Sequence, residues 1–154
     1  MKTLDIYTDG ACSGNPGKGG YGVVMIYKGN RKEFSEGFIE TTNNRMEILA
    51  VIKSLEALKE PCNVNLYSDS KYVVDAILKG WVFNWKKNNW IKSNKEKASN
   101  SDLWEKLLPL LNIPQVNFIW VKGHAANVEN ERCDQLARQA IASQCLKIDE
   151  NYTN

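Results

Sequence analysis

A chain of 154 residues is long enough to bury one core, and a single domain is expected. With 43% hydrophobic and 25% charged residues it is neither fibrous nor disordered in composition, and no run is long and apolar enough for a transmembrane span. A net charge of +2 does not by itself mark a nucleic-acid binder, and one histidine, His124, with four cysteines in no C-x-x-C spacing argues against a zinc site of the usual kind.

Three strands come first, at about 3–12, 20–28 and 31–40, joined by short turns into an antiparallel meander. The first runs into "TDGACSGNPGKGGYG", where Gly17, Gly19 and Gly22 match G-x-G-x-x-G. That fingerprint needs a helix to start inside it, but "YGVVMIYKG" follows, alternating and rich in Val, Ile and Tyr like a strand. Without a helix N-terminus there is no fan of N–H groups for a pyrophosphate. The G-x-x-x-x-G-K-[ST] pattern fails as well, because Gly19 follows Lys18. The glycines therefore read as turn residues around Asn15-Pro16-Gly17.

"TTNNRMEILAVIKSLEALKE" switches to helical periodicity, capped by Thr42 or Asn43 and stopped by Pro61. "NVNLYSD" is a buried strand. "SKYVVDAILKGWVFNWKK" is helical with a break at Gly80, and "NSDLWEKLLPLLN" is a helix bent or ended near Pro109. "VNFIWVKG" is the last strand and "NVENERCDQLARQAIAS" the last helix. Strands alternating with helices in the second half imply parallel pairing there. The expected fold is α/β: a mixed five-stranded sheet, three strands antiparallel and the rest parallel, flanked by helices.

Four carboxylates stand out. Asp9 ends the first strand and Asp69 ends "NVNLYSD"; if those strands are neighbours, both project from the carboxyl edge where open α/β sheets bind ligands. Glu47 is placed in the first turn of the first helix. Asp134 lies mid-helix beside an apolar stripe of Cys133, Leu136, Ala137, Ala140 and Ile141. Each has a plain reading as well: turn chemistry for the strand-end aspartates, the helix dipole for Glu47, a solvated face for Asp134. Any metal held here should be hard and oxygen-bound, magnesium or manganese.

"YTDGACSGNPGKGGYG", "TTNNRMEI", "YSDSKYV" and "WVKGHAANVENERCDQLAR" closely resemble the type 1 ribonuclease H family, and the resemblance runs from about Leu4 to Ala142. It implies the ribonuclease H-like fold and hydrolysis of the RNA strand of RNA–DNA hybrids, leaving 5′-phosphate and 3′-hydroxyl ends. It implies that Asp9, Glu47, Asp69 and Asp134 hold two Mg²⁺ ions, with Mn²⁺ as a substitute, and that His124 assists proton transfer. Relatives usually carry glycine two residues after this histidine; here Ala126 stands instead, which changes the loop's backbone freedom.

The same resemblance gives the glycine-rich loop a role in the hybrid's minor groove, with Cys12, Ser13 and Asn15 facing substrate. Asn43 and Asn44 add hydrogen bonds there, while Thr42 and Asn15 hold a phosphate of the DNA strand. Thr42, Asn43 and Asn44 are equally residues of a helix cap. Residues 79–97 carry Lys79, Lys86, Lys87, Lys92, Lys95 and Lys97 against Glu96 alone, interleaved with Trp81, Trp85 and Trp90. This stretch resembles the basic protrusion of bacterial members, so Trp81, Trp85, Lys86 and Lys87 are further substrate contacts. Two other readings remain: a metal-dependent DNA nuclease of the same fold, and an inactive hybrid-binding module.

Residues 1–143 are expected to form the domain and residues 144–154 a loosely held tail. The expected setting is a cytoplasmic monomer with free thiols, no membrane association and no obligate protein partner.

Overall fold

The computed structural model describes residues 1–112, 115–123 and 127–152. A hairpin of β1 (Thr3–Ser13) and β2 (Gly17–Tyr27) continues through a Lys28–Gly29 turn into β3 (Asn30–Thr41). Then come α1 (Asn43–Glu56), β4 (Asn63–Ser68), α2 (Lys71–Leu78), α3 (Trp81–Lys87), α4 (Ser101–Leu110), β5 (Gln115–Trp120) and α5 (Val128–Ala142). The sheet order is β3-β2-β1-β4-β5, antiparallel across β1–β2 and β2–β3 and parallel across β1–β4 and β4–β5. This is the mixed five-stranded sheet that the alternation of elements implies.

Side-chain alternation splits β2 between two cores. Tyr21, Val23 and Met25 join the large core with α1, α2 and α4, whereas Val24 packs with Cys133 and Leu136 of α5. Helix α5 therefore covers the opposite face from α1. Helix α1 is buried all round from Arg45 to Ile52, between the sheet and α4. It ends at Glu56 rather than at Pro61, which lies in the connection to β4. Gly80, at φ 79°, separates α2 from α3. Among the described residues no helix is long and apolar enough to cross a membrane.

The segment after Ser143, expected to be a loose tail, is tied down in two places. The Lys147 backbone N–H donates to the Gly37 carbonyl and its carbonyl accepts from the Ile39 N–H, both at 2.8 Å, forming a bridge beside β3. Asp149 accepts from the Thr41 hydroxyl at 2.6 Å and from Arg45 Nε at 2.7 Å. Residues 144–152 have no apolar periodicity, so this anchoring leaves no local trace. It is made by one backbone bridge and by one charge meeting a buried guanidinium.

Candidate active site

The β1–β4 register runs from Thr3↔Asn63 to Thr8↔Ser68. Asp9 and Asp69 are thus equivalent positions, each one residue beyond the last pair. Asp69 has left its strand, while Asp9 remains inside β1, paired with Gly22 of β2. Glu47 is delivered by a close approach. A Cβ on Gly10 would lie 2.6 Å from the backbone of Met46 and Glu47, so only glycine lets α1 press this tightly on β1. Glu47 opens the second turn of α1, not the first, and so takes no benefit from the unpaired N–H groups of the helix start. One ligand oxygen from each of Asp9, Glu47 and Asp69 lies within 4.8 Å of the others.

A second close approach brings α5 over. A Cβ on Gly22 would stand 2.3 Å from the Cys133 carbonyl. Because Gly22 pairs with Asp9, Asp134 arrives at the rim of the same cleft, which Asn43, Asn44, Ser70, Lys71 and Tyr72 also line. Its carboxylate is engaged by Arg138 one turn on, with Nε at 2.9 Å. The structure therefore clusters three of the four carboxylates and holds the fourth beside them on an arginine.

Asp9 and Glu47 are each only 5% exposed. Burial first, and repulsion from Asp69 second, push the Asp9 carboxyl up to about 9. Burial, then repulsion from Asp9, pushes Glu47 well above the ordinary carboxylate range. Glu47 Oε1 is buried with no hydrogen-bond partner among the described residues. A buried, unsatisfied carboxylate oxygen is costly. A hard divalent cation would supply both the missing partner and the missing charge, and an all-oxygen donor set suits one.

This has a consequence for stability without metal. The folded Asp9 carboxyl keeps its proton to about pH 9, whereas the unfolded chain releases it near the ordinary value of 3.8. Between those values the native state binds more protons than the unfolded one, so stability falls as pH rises. Melts in chelator should show Tm dropping from pH 5 to pH 9. Asp9→Asn should flatten the drop, and so should Mg²⁺, which displaces the proton. A wild-type melt equally stable across that range would mean that these carboxyls do not crowd one another.

The groove residues fall into two groups. Cys12, Asn15, Thr42, Asn43 and Asn44 line one open cleft that continues to Asn100, Asn151 and Tyr152. Cys12, Asn43 and Asn44 also border the carboxylates, so the two clefts adjoin. Asn15 Oδ1 accepts from the Asn43 N–H at 2.9 Å, and Thr42 caps α1 by accepting from the Arg45 N–H. The glycine loop is thus bolted to the start of α1. Ser13, at the exposed end of β1, is not among the residues lining either cleft.

Trp81, Trp85 and Lys87 line a separate surface cleft on α3. Trp85 also packs against the core, Trp81 is 40% exposed, and Lys86 pairs with Glu105 at 3.8 Å. His124 lies outside the described residues.

Two features escaped the sequence reading. Arg45 is 3% exposed and bound by Asp102, Asp149 and Asn100. Lys71 lines the carboxylate cleft next to Asp69. A lone arginine inside a helix-cap motif, and a lysine opening a helix, carry no periodic signal of such roles.

Comparison with known proteins agrees with this geometry. The RNase H family model matches residues 1–142. A ribonuclease H of Desulforamulus reducens is 62% identical over 149 residues, covering 97% of this chain and 94% of the relative. One from Syntrophus aciditrophicus is 59% identical over 152 residues, covering 99% and 88%. Of solved structures, LC9-RNase H1, a type 1 RNase H with the type 2 active-site motif, matches with a TM-score of 0.83 at 30% identity, covering 94% of this chain and 74% of that one. LC11-RNase H1, solved in complex with an RNA/DNA hybrid, matches with a TM-score of 0.71 at 27% identity, covering 90% and 96%. A chain so similar along its whole length, with three crowded carboxylates at the edge of this sheet, belongs to the RNase H family of enzymes, in its type 1 bacterial form.

Proposed function

We propose that this enzyme is an endonuclease that hydrolyses the RNA strand of RNA–DNA hybrids, leaving 3′-hydroxyl and 5′-phosphate ends. The observation that carries the reading is the Asp9–Glu47–Asp69 cluster with its orphaned Glu47 oxygen, in a chain of this family. Asp9, Glu47 and Asp69, with Asp134 at the rim, would hold two Mg²⁺ ions, or Mn²⁺ in their place. When bound, such a pair activates a water and stabilises the leaving oxygen. The protein's part is to keep the carboxylates converged, through Gly10 and Gly22, so that a bound cation would displace their protons. Arg138 would hold Asp134 ready, and His124 would carry a proton toward the leaving group.

Hybrid recognition is assigned to the adjoining clefts. Cys12, Asn15, Asn43 and Asn44, with Ser13 outside the clefts at the exposed end of β1, would read the minor groove, where 2′-hydroxyls distinguish RNA from DNA. Thr42 and Asn15 would hold a phosphate of the DNA strand. Lys86, Lys87, Trp81 and Trp85 would take the DNA backbone farther along. The exposed Lys86–Glu105 pair is worth only about 0–1 kcal/mol, so Lys86 can exchange it for a phosphate. The enzyme acts as a monomer, and its four free cysteines suit the reducing cytoplasm.

The test is a series of duplexes whose cleaved strand carries one to six ribonucleotides within DNA, assayed in Mg²⁺ at fixed salt. Activated water does not need a 2′-hydroxyl for chemistry, so any requirement for ribose reports recognition. Cleavage should be poor at one ribonucleotide and rise with several, and duplex RNA should bind without efficient cutting. Cutting of pure DNA would favour a DNA nuclease of this fold, and binding without cutting an inactive module.

A further inference from the structure

Among the described residues lining the carboxylate cleft, Lys71 is the one cation. It opens α2, immediately after Ser70, whose hydroxyl caps the helix by accepting from the Val73 N–H. No carboxylate among the described residues pairs with it, although Asp69 is two positions away. Its ammonium instead sits 4.5 Å from the centre of the Trp120 ring. Trp120 ends β5 in register with Ser68, and its indole N–H donates to the Asp69 carbonyl at 3.2 Å. The ring is thereby fixed to the same turn that presents Asp69. It remains 42% exposed, so core packing does not account for its position.

We infer that Lys71, parked on Trp120, binds a phosphate of the cleaved strand next to the one being hydrolysed, and that Trp120 is its positioning residue. The inference rests on the function proposed above. An ammonium on an aromatic face keeps its three N–H donors free for an oxyanion, and the ring limits how far the long side chain wanders. An unpaired cation beside three carboxylates also offers an incoming phosphodiester its first attraction at an otherwise repulsive edge. Lysine acts here as a point charge, so the contact is indifferent to base sequence.

The experiment is steady-state cleavage of an RNA–DNA hybrid by wild type, Lys71→Met, Lys71→Arg, Trp120→Leu and the double variant, across a salt series, with Tm recorded for each. Lys71→Met should raise KM more than it lowers kcat, and should reduce the slope of log KM against log salt by roughly 0.9, the value of one lost phosphate contact. Over a fourfold change in salt that is a shift of about 3.5-fold in the ratio of KM values. Lys71→Arg should restore the slope. Trp120→Leu should lower it less, and the double variant should match the slope of Lys71→Met alone, since the ring reaches the phosphate contact only through the lysine; losing its hydrogen bond to the Asp69 carbonyl would lower kcat without moving the slope. A wild-type slope in Lys71→Met would overturn the inference, as would a change confined to Tm, which would make the lysine a counter-charge for the carboxylates. Wild type that fails to cut hybrid at all would overturn the proposed function instead.

Discussion

Asp9→Asn is expected to abolish cleavage in Mg²⁺ while leaving hybrid binding nearly intact. Asp9 is the carboxylate that faces each of the other three. It repels Asp69 and Glu47, and its backbone pairs with Gly22, over which α5 brings Asp134. Asparagine keeps the shape and the hydrogen bond from the Gly10 N–H to Oδ1 at 3.0 Å, but it supplies no charge for a cation. The loss should exceed about a thousandfold in kcat, the upper range for removing one preorganised electrostatic group from a transition state. The binding proposed above uses the groove asparagines and the lysines, none of which touches Asp9 in this way, so Kd should change little. The same variant should melt higher than wild type in chelator at pH 8, because asparagine folds without taking up the proton that the buried, crowded Asp9 carboxyl needs at that pH. Turnover near wild type would exclude Asp9 from catalysis, and a lower alkaline Tm would contradict the crowding.

The largest effect on stability should come from Asp149→Ala. Arg45 is buried with its guanidinium divided between two carboxylates, Asp102 through Nη1 at 2.9 Å and Nη2 at 2.7 Å, and Asp149 through Nε at 2.7 Å and Nη2 at 3.1 Å. Removing one partner of a buried ion pair leaves charge uncompensated and costs about 3–5 kcal/mol. Asp102 survives, so the lower end applies, about 3 kcal/mol. For a chain of this size that lowers Tm by about 6–12 °C. Asp149→Asn, which can still accept from Arg45, should lose less. Equal losses from the two variants would show that charge is not what matters, and a Tm within a degree or two of wild type would show that the Asp149 contacts contribute nothing to stability.

Local pattern made the order of elements legible, because each strand and helix announces itself by period. Val23 and Val24 lie on opposite faces as alternation requires, and the Gly80 break and the Thr42 cap are local events. Asp9 and Asp69 were legible as facing carboxylates once their strands were taken as neighbours, although only Asp69 lies at a strand end and β1 runs on past Asp9 to Ser13. Glu47 was harder. Helical period says that residue 47 is on α1, but its closeness to Asp9 depends on how near Gly10 lets that helix come. Asp134 depends in the same way on Gly22. Its pairing with Arg138, four residues on, was readable from spacing, whereas the effect of that pairing on the cluster was not. Arg45 and Asp149, or Lys71 and Trp120, meet only through tertiary structure, and no window of the sequence contains both partners of either pair.

The separation of Arg45 from Asp149 also orders events during synthesis. They stand 104 residues apart, which at 5–20 residues per second is about 5–20 s of translation. Throughout that interval α1 carries a guanidinium whose burial is not yet compensated from that side, while β1, β2 and β3 are already available to pair. The start of α1, with Asn43 and Asn44, therefore gains its final anchoring last. A nascent chain stalled after Asp69 would own three of its four carboxylates and still lack the contacts that seat the helix bearing one of them. Assembly of the cutting site is in this way deferred until the rest of the polypeptide has been made.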